Sequence, residues 1–277
     1  MTRKTTINTK DNSLENYHRL SIQVSLNGLS FCILDTIGNS VLDSGRVSFK
    51  KSLTPYEVEK HLKDLLEKHH IPSKQFISVV VVHSNGIFSF VPEPLFDENE
   101  LANYLKLNTK ILVNDHIAFD ALNNLEMVNV YVPFMNINNY IFELFGEFEY
   151  KHCGTVLVAA MLNQPVKGKG PLCYVHASEN QMDIIVVEQK KLLFYNSFVF
   201  QTKEDFIYYI LFTLEQLKLA PESIPIKLFG AIEEGDELFN ICYTYIKDIS
   251  IFAPLNYANG LEVSTDKNIE FTLLSAL

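Results

Sequence analysis

The pattern of apolar and polar positions predicts three short β-strands near the start of the chain. Apolar and β-branched residues fill three runs, and the hairpin-type pairs Asn27-Gly28 and Gly38-Asn39 separate them. The runs cover residues 20–26, 29–35 and 41–49. The sequence therefore predicts a three-stranded antiparallel meander.

A helix and a further strand are predicted directly after this meander. Thr54 can cap the helix, and Glu57, three residues later, completes a capping box. Apolar residues then recur at helical spacing as far as Pro72, which ends the predicted helix. The run 76–82 contains four consecutive valines, so it predicts a strand that is buried on both faces.

The second half of the chain repeats this order of elements. Residues 182–188 match residues 29–35 in apolar pattern, at an offset of 182 minus 29, or 153 residues. Thr202 and Asp205 supply a second capping box, and residues 226–232 supply a second buried strand. A duplicated unit explains this order, and two unrelated α/β halves remain the alternative.

Domain boundaries follow from where the repeated elements begin and end. Residues 1–16 are polar and predict a disordered or loosely packed arm. The first domain is predicted over residues 17–165, with an inserted segment near residues 88–125. The second domain is predicted over residues 171–277, because the stretch before it, residues 164–171, is rich in glycine and proline.

Charge and composition narrow the class of partner. The formal net charge is −10 and basic residues cluster no further than adjacent pairs, which excludes nucleic acid as a partner. Four separate cysteines indicate buried, reduced thiols. We also expect no signal peptide and no membrane insertion, because no apolar stretch has the required length and setting. The sequence therefore predicts a cytoplasmic protein.

Several segments of the second half resemble a known family. The segments cover residues 192–198, 204–211, 215–219 and 228–230. On this basis the chain is identified as a member of a bacterial family of unknown function that is grouped with the actin-like ATPases. Its first half also resembles pilus-assembly and cell-division relatives of actin. The resemblance implies an α/β, duplicated ribonuclease H-like (actin-like ATPase) fold, in which two βββαβ-type domains enclose a cleft.

The resemblance also indicates where a nucleotide would bind. Actin-like ATPases hold the phosphates between two hairpin turns that are rich in Asp and Gly. The first pattern, Asp-x-Gly, falls on Ser25-Leu26-Asn27, and the second falls on residues 176–183, where only Asp183 is retained. A Gly-Gly pair on the adenosine side falls on Gly230-Ala231. The degenerate positions are therefore Ser25, Asn27, His176, Ser178, Asn180 and Gly230.

These departures from the family pattern favour a protein without catalytic residues. Both acidic residues that would hold Mg²⁺ through water are missing, so ATP with Mg²⁺ is disfavoured as a cofactor and no metal site is predicted. The sequence favours a non-catalytic scaffold or protein-binding module. The alternative is a weak ATP-binding protein or ATPase, or a sugar-kinase-like phosphotransferase, for which Asp115 and Asp120 are the available bases.

A partner protein of unknown identity is expected for such a scaffold, and a homodimer is left open. Residues 91–94 contain two prolines and predict an extended, linker-like piece. Three aromatic residues lie on or beside it. Phe88, Phe90 and Phe96 are therefore the candidate contacts with another protein.

Overall fold

A computed structural model describes most of the chain. The described residues are 17–106, 111, 115–122, 125–165, 168, 170–253 and 270–277. The predicted arm over residues 1–16 lies outside them, as do parts of the predicted insertion and of the predicted domain boundary.

Within the described residues the chain forms strands and helices in a repeating order. The first half contains β1 (His18–Ser25), β2 (Gly28–Asp35), β3 (Ser40–Ser48), α1 (Pro55–Lys68), β4 (Ser78–Ser84), β5 (Phe88–Pro92), α2 (Leu101–Leu105), β6 (Ala118–Leu122), β7 (Met127–Tyr131), α3 (Met135–Phe145), β8 (Glu149–His152) and α4 (Cys153–Leu162). The second half contains β9 (Leu172–Ala177), β10 (Gln181–Glu188), β11 (Lys191–Val199), α5 (Lys203–Gln216), β12 (Ile226–Gly230), α6 (Glu237–Tyr245), β13 (Ile249–Ile251) and α7 (Phe271–Ala276).

Two five-stranded sheets have the same topology. Their strand orders are β3-β2-β1-β4-β8 and β11-β10-β9-β12-β13. In each sheet the first three strands are antiparallel and the last two run parallel to the central strand. Even an irregularity is repeated: the register shifts between Ile33 and Leu34 in one sheet, and between Val186 and Val187 in the other. These sites differ by 186 minus 33, or 153 residues, which confirms the predicted duplication.

The first helix of each half begins as the sequence predicts. Thr54 accepts a hydrogen bond from the Glu57 amide, and the Glu57 side chain accepts one from the Thr54 amide. Thr202 and Asp205 make the same reciprocal pair at the start of α5. Each box satisfies amides that have no partner inside the helix. Both helices have 14 residues and pack on their own sheet.

Two helices join the halves. Helix α4 follows the first sheet but also packs against β10 and β11, whereas α7 follows the second sheet and packs against β1, β2 and β4. Val156 and Leu157 of α4 share an apolar cluster with Ile185 and Phe229 of the second sheet. Because each half contributes a helix to the other half's surroundings, the two domains share a continuous apolar core.

A third, three-stranded sheet is inserted between β4 and α3. Its order is β5-β7-β6, and all its pairs are antiparallel. The prediction of a linker-like piece at residues 91–94 is wrong at its start, because Phe88–Pro92 forms strand β5. Pro92 is the last residue of that strand, where a missing amide costs no further ladder bond. Residues 93–95 then form a single 3₁₀ turn.

Two further predictions concern thiols and membranes. All four cysteines are buried and unpaired, as predicted. None of the helices in the described part of the chain has the length and apolar character needed to span a bilayer.

Candidate functional site

Two equivalent turns line one cavity between the sheets. Residues 25–28 join β1 to β2, and residues 178–181 join β9 to β10. The Ser25 hydroxyl donates to the Gly28 carbonyl at 3.0 Å, and the Ser178 hydroxyl donates to the Gln181 carbonyl at 3.0 Å. The same type of hydrogen bond therefore closes both turns. Each serine hydroxyl donates to a backbone carbonyl within its own turn.

Backbone amides of the turns are also used internally. The Asn27 amide donates to Ser25 Oγ at 3.2 Å, and the Ser178 amide donates to the Gln181 carbonyl at 2.8 Å. A phosphate site needs amides that point at the ligand. These two amides are directed into their own turns instead. The structure thus brings Ser25, Asn27, Ser178 and Asn180 together around one cavity, with part of their hydrogen-bonding capacity already used.

The cavity itself is small. Its volume is about 50 Å³, which is enough for one or two water molecules at about 30 Å³ each. Sites for drug-sized ligands and cofactors have volumes of about 300–1,000 Å³. The space between the two turns in this conformation is therefore too small for a nucleoside triphosphate.

Polar contacts cross the cavity between the two halves. Arg46 on β3 lies 4.0 Å from the Glu179 carboxylate in the second turn and 3.7 Å from the Glu270 carboxylate before α7. The Gln181 side chain donates to Ser197 Oγ at 2.7 Å and to Ser84 Oγ, across the cleft, at 3.5 Å. One guanidinium faces two carboxylates here, so the local charge is negative and would repel a phosphate.

The two remaining positions of the second pattern belong to a buried polar cluster. His176 Nδ1 lies 3.1 Å from Asp183 Oδ2, and the Tyr195 hydroxyl donates to Asp183 Oδ1 at 3.0 Å. His176 and Asp183 are buried, and Tyr195 is partly buried. Burial, together with the nearby Asp183 charge, raises the pKa of Tyr195 well above its ordinary value, so its hydroxyl stays a hydrogen-bond donor. The one acid that the sequence retains is therefore bound by protein groups.

Asp120, a candidate base, lies in a second buried cluster. Its Oδ2 accepts hydrogen bonds from the His152 amide at 2.8 Å and from Thr155 Oγ1 at 2.6 Å, and its Oδ1 accepts one from the Tyr131 hydroxyl at 3.0 Å. Burial raises the pKa of Asp120. Neither Asp120 nor Asp115 is among the described residues that line the cavity. These contacts join β6 and β7 to α4, a positioning role that sequence reasoning did not identify.

The close packing of β12 against β9 explains why position 230 is a glycine. Its φ is +93°, and a Cβ atom at this position would lie 2.3 Å from the Ala177 carbonyl oxygen and 2.9 Å from His176 Cδ2. The next amide, that of Ala231, donates to the same carbonyl at 2.7 Å. Only glycine fits where β12 approaches β9 this closely. Gly230 does not line the cavity between the turns.

The three candidate aromatic contacts lie in different environments. Phe88 is buried, with its ring centroid 4.8 Å from His152 and 5.2 Å from Tyr195. Phe90 is partly buried and lies 5.3 Å from Tyr195, at the side of a second, larger cavity. Phe96 packs against Phe119 within the third sheet's own core. In this structure Phe88 has little surface left for a partner.

A nucleotide with its metal ion does not fit the residues present. The described residues contain no group of three or more His, Cys, Asp or Glu side chains that could hold a metal ion. The closed turns, the small cavity and the excess of carboxylates agree with this result. No step of nucleotide chemistry can be derived from this arrangement.

The duplicated sheets, the helices that cross between them and the paired turns define a protein with the actin-like ATPase fold. The chain belongs to the DUF3822 family, described as a protein of unknown function, whose sequence profile matches residues 7–249. This result confirms the family resemblance and the predicted fold class.

Solved structures with the same fold are similar over most of the chain. One is a Bacteroides thetaiotaomicron VPI-5482 protein with actin-like ATPase fold and unknown function, at 22% identity and a TM-score of 0.77, covering 88% of this chain and 93% of that chain. Another is the PilM-PilN type IV pilus biogenesis complex, at 12% identity and a TM-score of 0.53, covering 94% of this chain and 97% of that chain. A search of curated proteins finds no match. At these identities the likeness shows the fold alone.

Proposed function

We propose that this protein is a non-catalytic scaffold of the actin-like ATPase fold that binds another protein. The observation that carries the proposal is the small polar cavity of about 50 Å³ at the position where the two turns would hold phosphates. Because the hydroxyls and amides of these turns already make hydrogen bonds within the turns, the fold retains surfaces for binding rather than groups for catalysis. The occurrence of this fold in a protein complex, PilM-PilN, supports a role in binding another protein.

The alternative, a phosphotransferase, requires a base beside the bound nucleotide. Asp120 is held by three hydrogen bonds away from the cavity. Asp183 is bonded to His176 and Tyr195. Neither carboxylate is positioned to accept a proton from a substrate hydroxyl, so no specific observation favours this alternative.

Calorimetry and turnover measurements test the absence of a nucleotide function. ATP, ADP and GTP are titrated into the full chain with Mg²⁺, and phosphate release is followed in parallel, with a nucleotide-binding actin-like ATPase as the positive control. We expect no binding heat and no turnover. Micromolar binding accompanied by phosphate release would contradict the proposal and restore the enzyme alternative.

A second arm tests the binding of a protein. The full chain is immobilised and exposed to native lysate with and without ATP. A second sample of the chain, denatured so that it no longer shows a cooperative unfolding transition, is treated in the same way. This sample controls for non-specific capture. We expect a protein that is retained only by the folded chain and whose retention does not depend on ATP. Retention that requires ATP would contradict a scaffold with no nucleotide site.

A further inference from the structure

Strand β11 has an unprotected edge, unlike its counterpart β3. Each is the outer strand of its sheet and pairs on one side only within the described chain. Strand β3 carries two charged side chains, Asp43 and Arg46, whereas β11 carries no charge and no proline after its first residue, Lys191. Charges on an edge strand prevent pairing with other chains. The first half has this protection and the second half lacks it.

A groove lies beside this edge. It has a volume of about 710 Å³ and separates β11 from β5, which is the outer strand of the third sheet. All ten described residues that line it are uncharged, in a chain in which 20% of residues are charged. The volume lies in the range of about 300–1,000 Å³ that is typical of ligand sites. We call this space the edge groove.

Aromatic rings from both walls of the edge groove lie against one another. The Tyr195 ring from β11 lies 5.2 Å from Phe88 and 5.3 Å from Phe90, both on β5. Leu193, also on β11, lines the groove and is 44% exposed. The outer edge of β11 has no strand partner within the described chain, although one of its amides, that of Ser197, donates to the neighbouring Asn196 side chain. Apolar surface and an open strand edge therefore occur together.

We propose that the edge groove binds an extended, uncharged segment of a partner protein, which pairs with β11 as an added strand. Alternate side chains of the segment contact Tyr195, Phe90 and Leu193, and its backbone supplies the hydrogen bonds that the β11 edge lacks. The proposal rests on the proposed scaffold function and names its binding surface. A single segment fits better than a second copy of the chain. Residues of both β11 and β5 line the groove, and a space bordered on two sides suits an extended segment that adds to a strand edge.

A selection experiment with matched variants tests this proposal. The full chain is exposed to a phage-displayed library of short random peptides, and the most enriched peptide is synthesised with a fluorescent label for anisotropy titration. We expect enriched peptides to be uncharged, with apolar residues at alternate positions. Leu193→Lys adds an edge charge inside the groove, and we expect it to weaken binding at least about tenfold.

The duplication supplies the control. Leu42 on β3 is equivalent to Leu193, is 50% exposed and lies outside the groove. Leu42→Lys and Val199→Lys, the latter on β11 but away from the groove, should leave the peptide affinity unchanged. Ser89→Lys on the opposite wall should weaken binding as Leu193→Lys does. Because all four positions lie on strands and are at least partly exposed, thermal melts should show that each variant folds.

The outcomes separate this proposal from the scaffold function. The absence of any enriched peptide, or an affinity that Leu193→Lys leaves intact, overturns the edge groove as the binding surface. A wild-type dimer in sedimentation that Leu193→Lys dissociates also overturns it, in favour of a second copy. None of these results would restore nucleotide binding, which the calorimetry with ATP measures independently.

Discussion

The two halves of this protein have the same backbone but place different side chains at equivalent positions. Asp183 in the second half corresponds to Ser30 in the first, at an offset of 183 minus 30, or 153 residues. Asp183 is buried and hydrogen-bonded on both oxygens, whereas the buried Ser30 hydroxyl has no partner among the described residues. The comparison teaches that the repeat specifies strands and turns, and that each half sets its own polar interior.

The same contrast holds at the outer strands. Arg46 on β3 reaches across the cleft to Glu179 and Glu270, while its equivalent on β11, Ser197, accepts from Gln181 within its own half. The first half therefore uses its charged edge to close the cleft. The second half leaves an uncharged edge that faces the edge groove. Substitutions at equivalent positions can measure how far this asymmetry extends.

The largest expected difference is between Asp183→Ala and Ser30→Ala. Loss of the Asp183 carboxylate leaves the Tyr195 hydroxyl and His176 buried without an acceptor, which should lower the free energy of unfolding by about 4 kcal/mol. Ser30→Ala removes a buried hydroxyl that has no partner, so the change should lie within about 0.5 kcal/mol of zero or be stabilising. Urea denaturation at neutral pH measures both.

Tyr195→Phe provides the control for this pair, because it removes one of the two donors and keeps the ring. A loss of about 1–2 kcal/mol is expected for that single hydrogen bond to a carboxylate. If Asp183→Ala proved no more destabilising than Ser30→Ala, the buried cluster would not stabilise the second half, and the contrast between the halves would fail.

A second expected difference concerns two glycines of the second half. Gly230 and Gly235 both have positive φ, +93° and +90°, but only Gly230 has backbone atoms where a Cβ would lie. Gly235→Ala should cost about 1 kcal/mol from the backbone conformation alone. Gly230→Ala should cost about 2 kcal/mol more, because the Ala177 carbonyl must move.

Thermal and urea unfolding of both glycine variants give this comparison directly. Equal losses for the two variants would show that the close approach of β12 to β9 is not a constraint. The role of Gly230 would then have to be sought in a bound ligand.

The third prediction concerns the loss of stability at low pH, which should come from two buried histidines in the first half. Burial lowers the pKa of His83 to about 3 and that of His152 to about 4. Both pKa values lie below the value of about 6.5 in an unfolded chain. The unfolded state therefore takes up protons first as the pH falls. Stability is present above about pH 6.5 and declines below it, by about 2 kcal/mol per histidine between pH 7 and pH 5.

Urea denaturation at pH 7 and pH 5 measures this loss, and His83→Gln isolates one contribution. The variant should lose about 2 kcal/mol less than the wild type between the two pH values. Burial raises the pKa of Asp120, so its contribution to the free energy of unfolding changes with pH in the opposite direction. Asp120 is present in both the wild type and the variant, and its contribution therefore cancels when the two are compared. An identical pH dependence of the two proteins would mean that His83 is not held neutral.

The sequence predicts those features of the fold that depend on local chemistry. Thr54 and Thr202 each precede an acidic residue at the spacing of a capping box, and the structure contains both boxes. Likewise, the run of valines in residues 78–84 identifies a strand that is buried on both faces. Strand β5 of the third sheet is not identified in this way, because it ends in Pro92, a residue that also indicates an extended linker.

The candidate site could be located from the sequence but its interior could not be described. The family pattern identifies both turns, since a turn requires particular residues at adjacent positions. The partners of Asp120 could not be found this way. Tyr131 and Thr155 come from β7 and α4, and only the folded chain brings them together. The edge groove could not be found from the sequence either, because it depends on the unpaired outer edge of β11 and on β5 opposite it.

The smallest expected effect separates charge from shape in the cleft. Glu179 in the second turn corresponds to Leu26 in the first, at an offset of 179 minus 26, or 153 residues. Glu179 is 60% exposed and lies 4.0 Å from Arg46, so Glu179→Leu should change stability by less than about 0.5 kcal/mol. It should also leave the protein unable to bind ATP, because Gln181 still connects to Ser84 across the cavity. Thermal melts with and without ATP and Mg²⁺ measure both quantities.

A rise in melting temperature with ATP in Glu179→Leu alone would show that one carboxylate, and not the closed turns, keeps nucleotide out. Gln181→Gly is the matched variant, because it removes the side chain that bridges the cleft and keeps the charge. If that variant binds ATP and Glu179→Leu does not, shape is the barrier. Since the cavity holds about 50 Å³, far below the volume of a cofactor site, we expect neither single change to be sufficient. Charge from Glu179 and the side chain of Gln181 should then exclude nucleotide together.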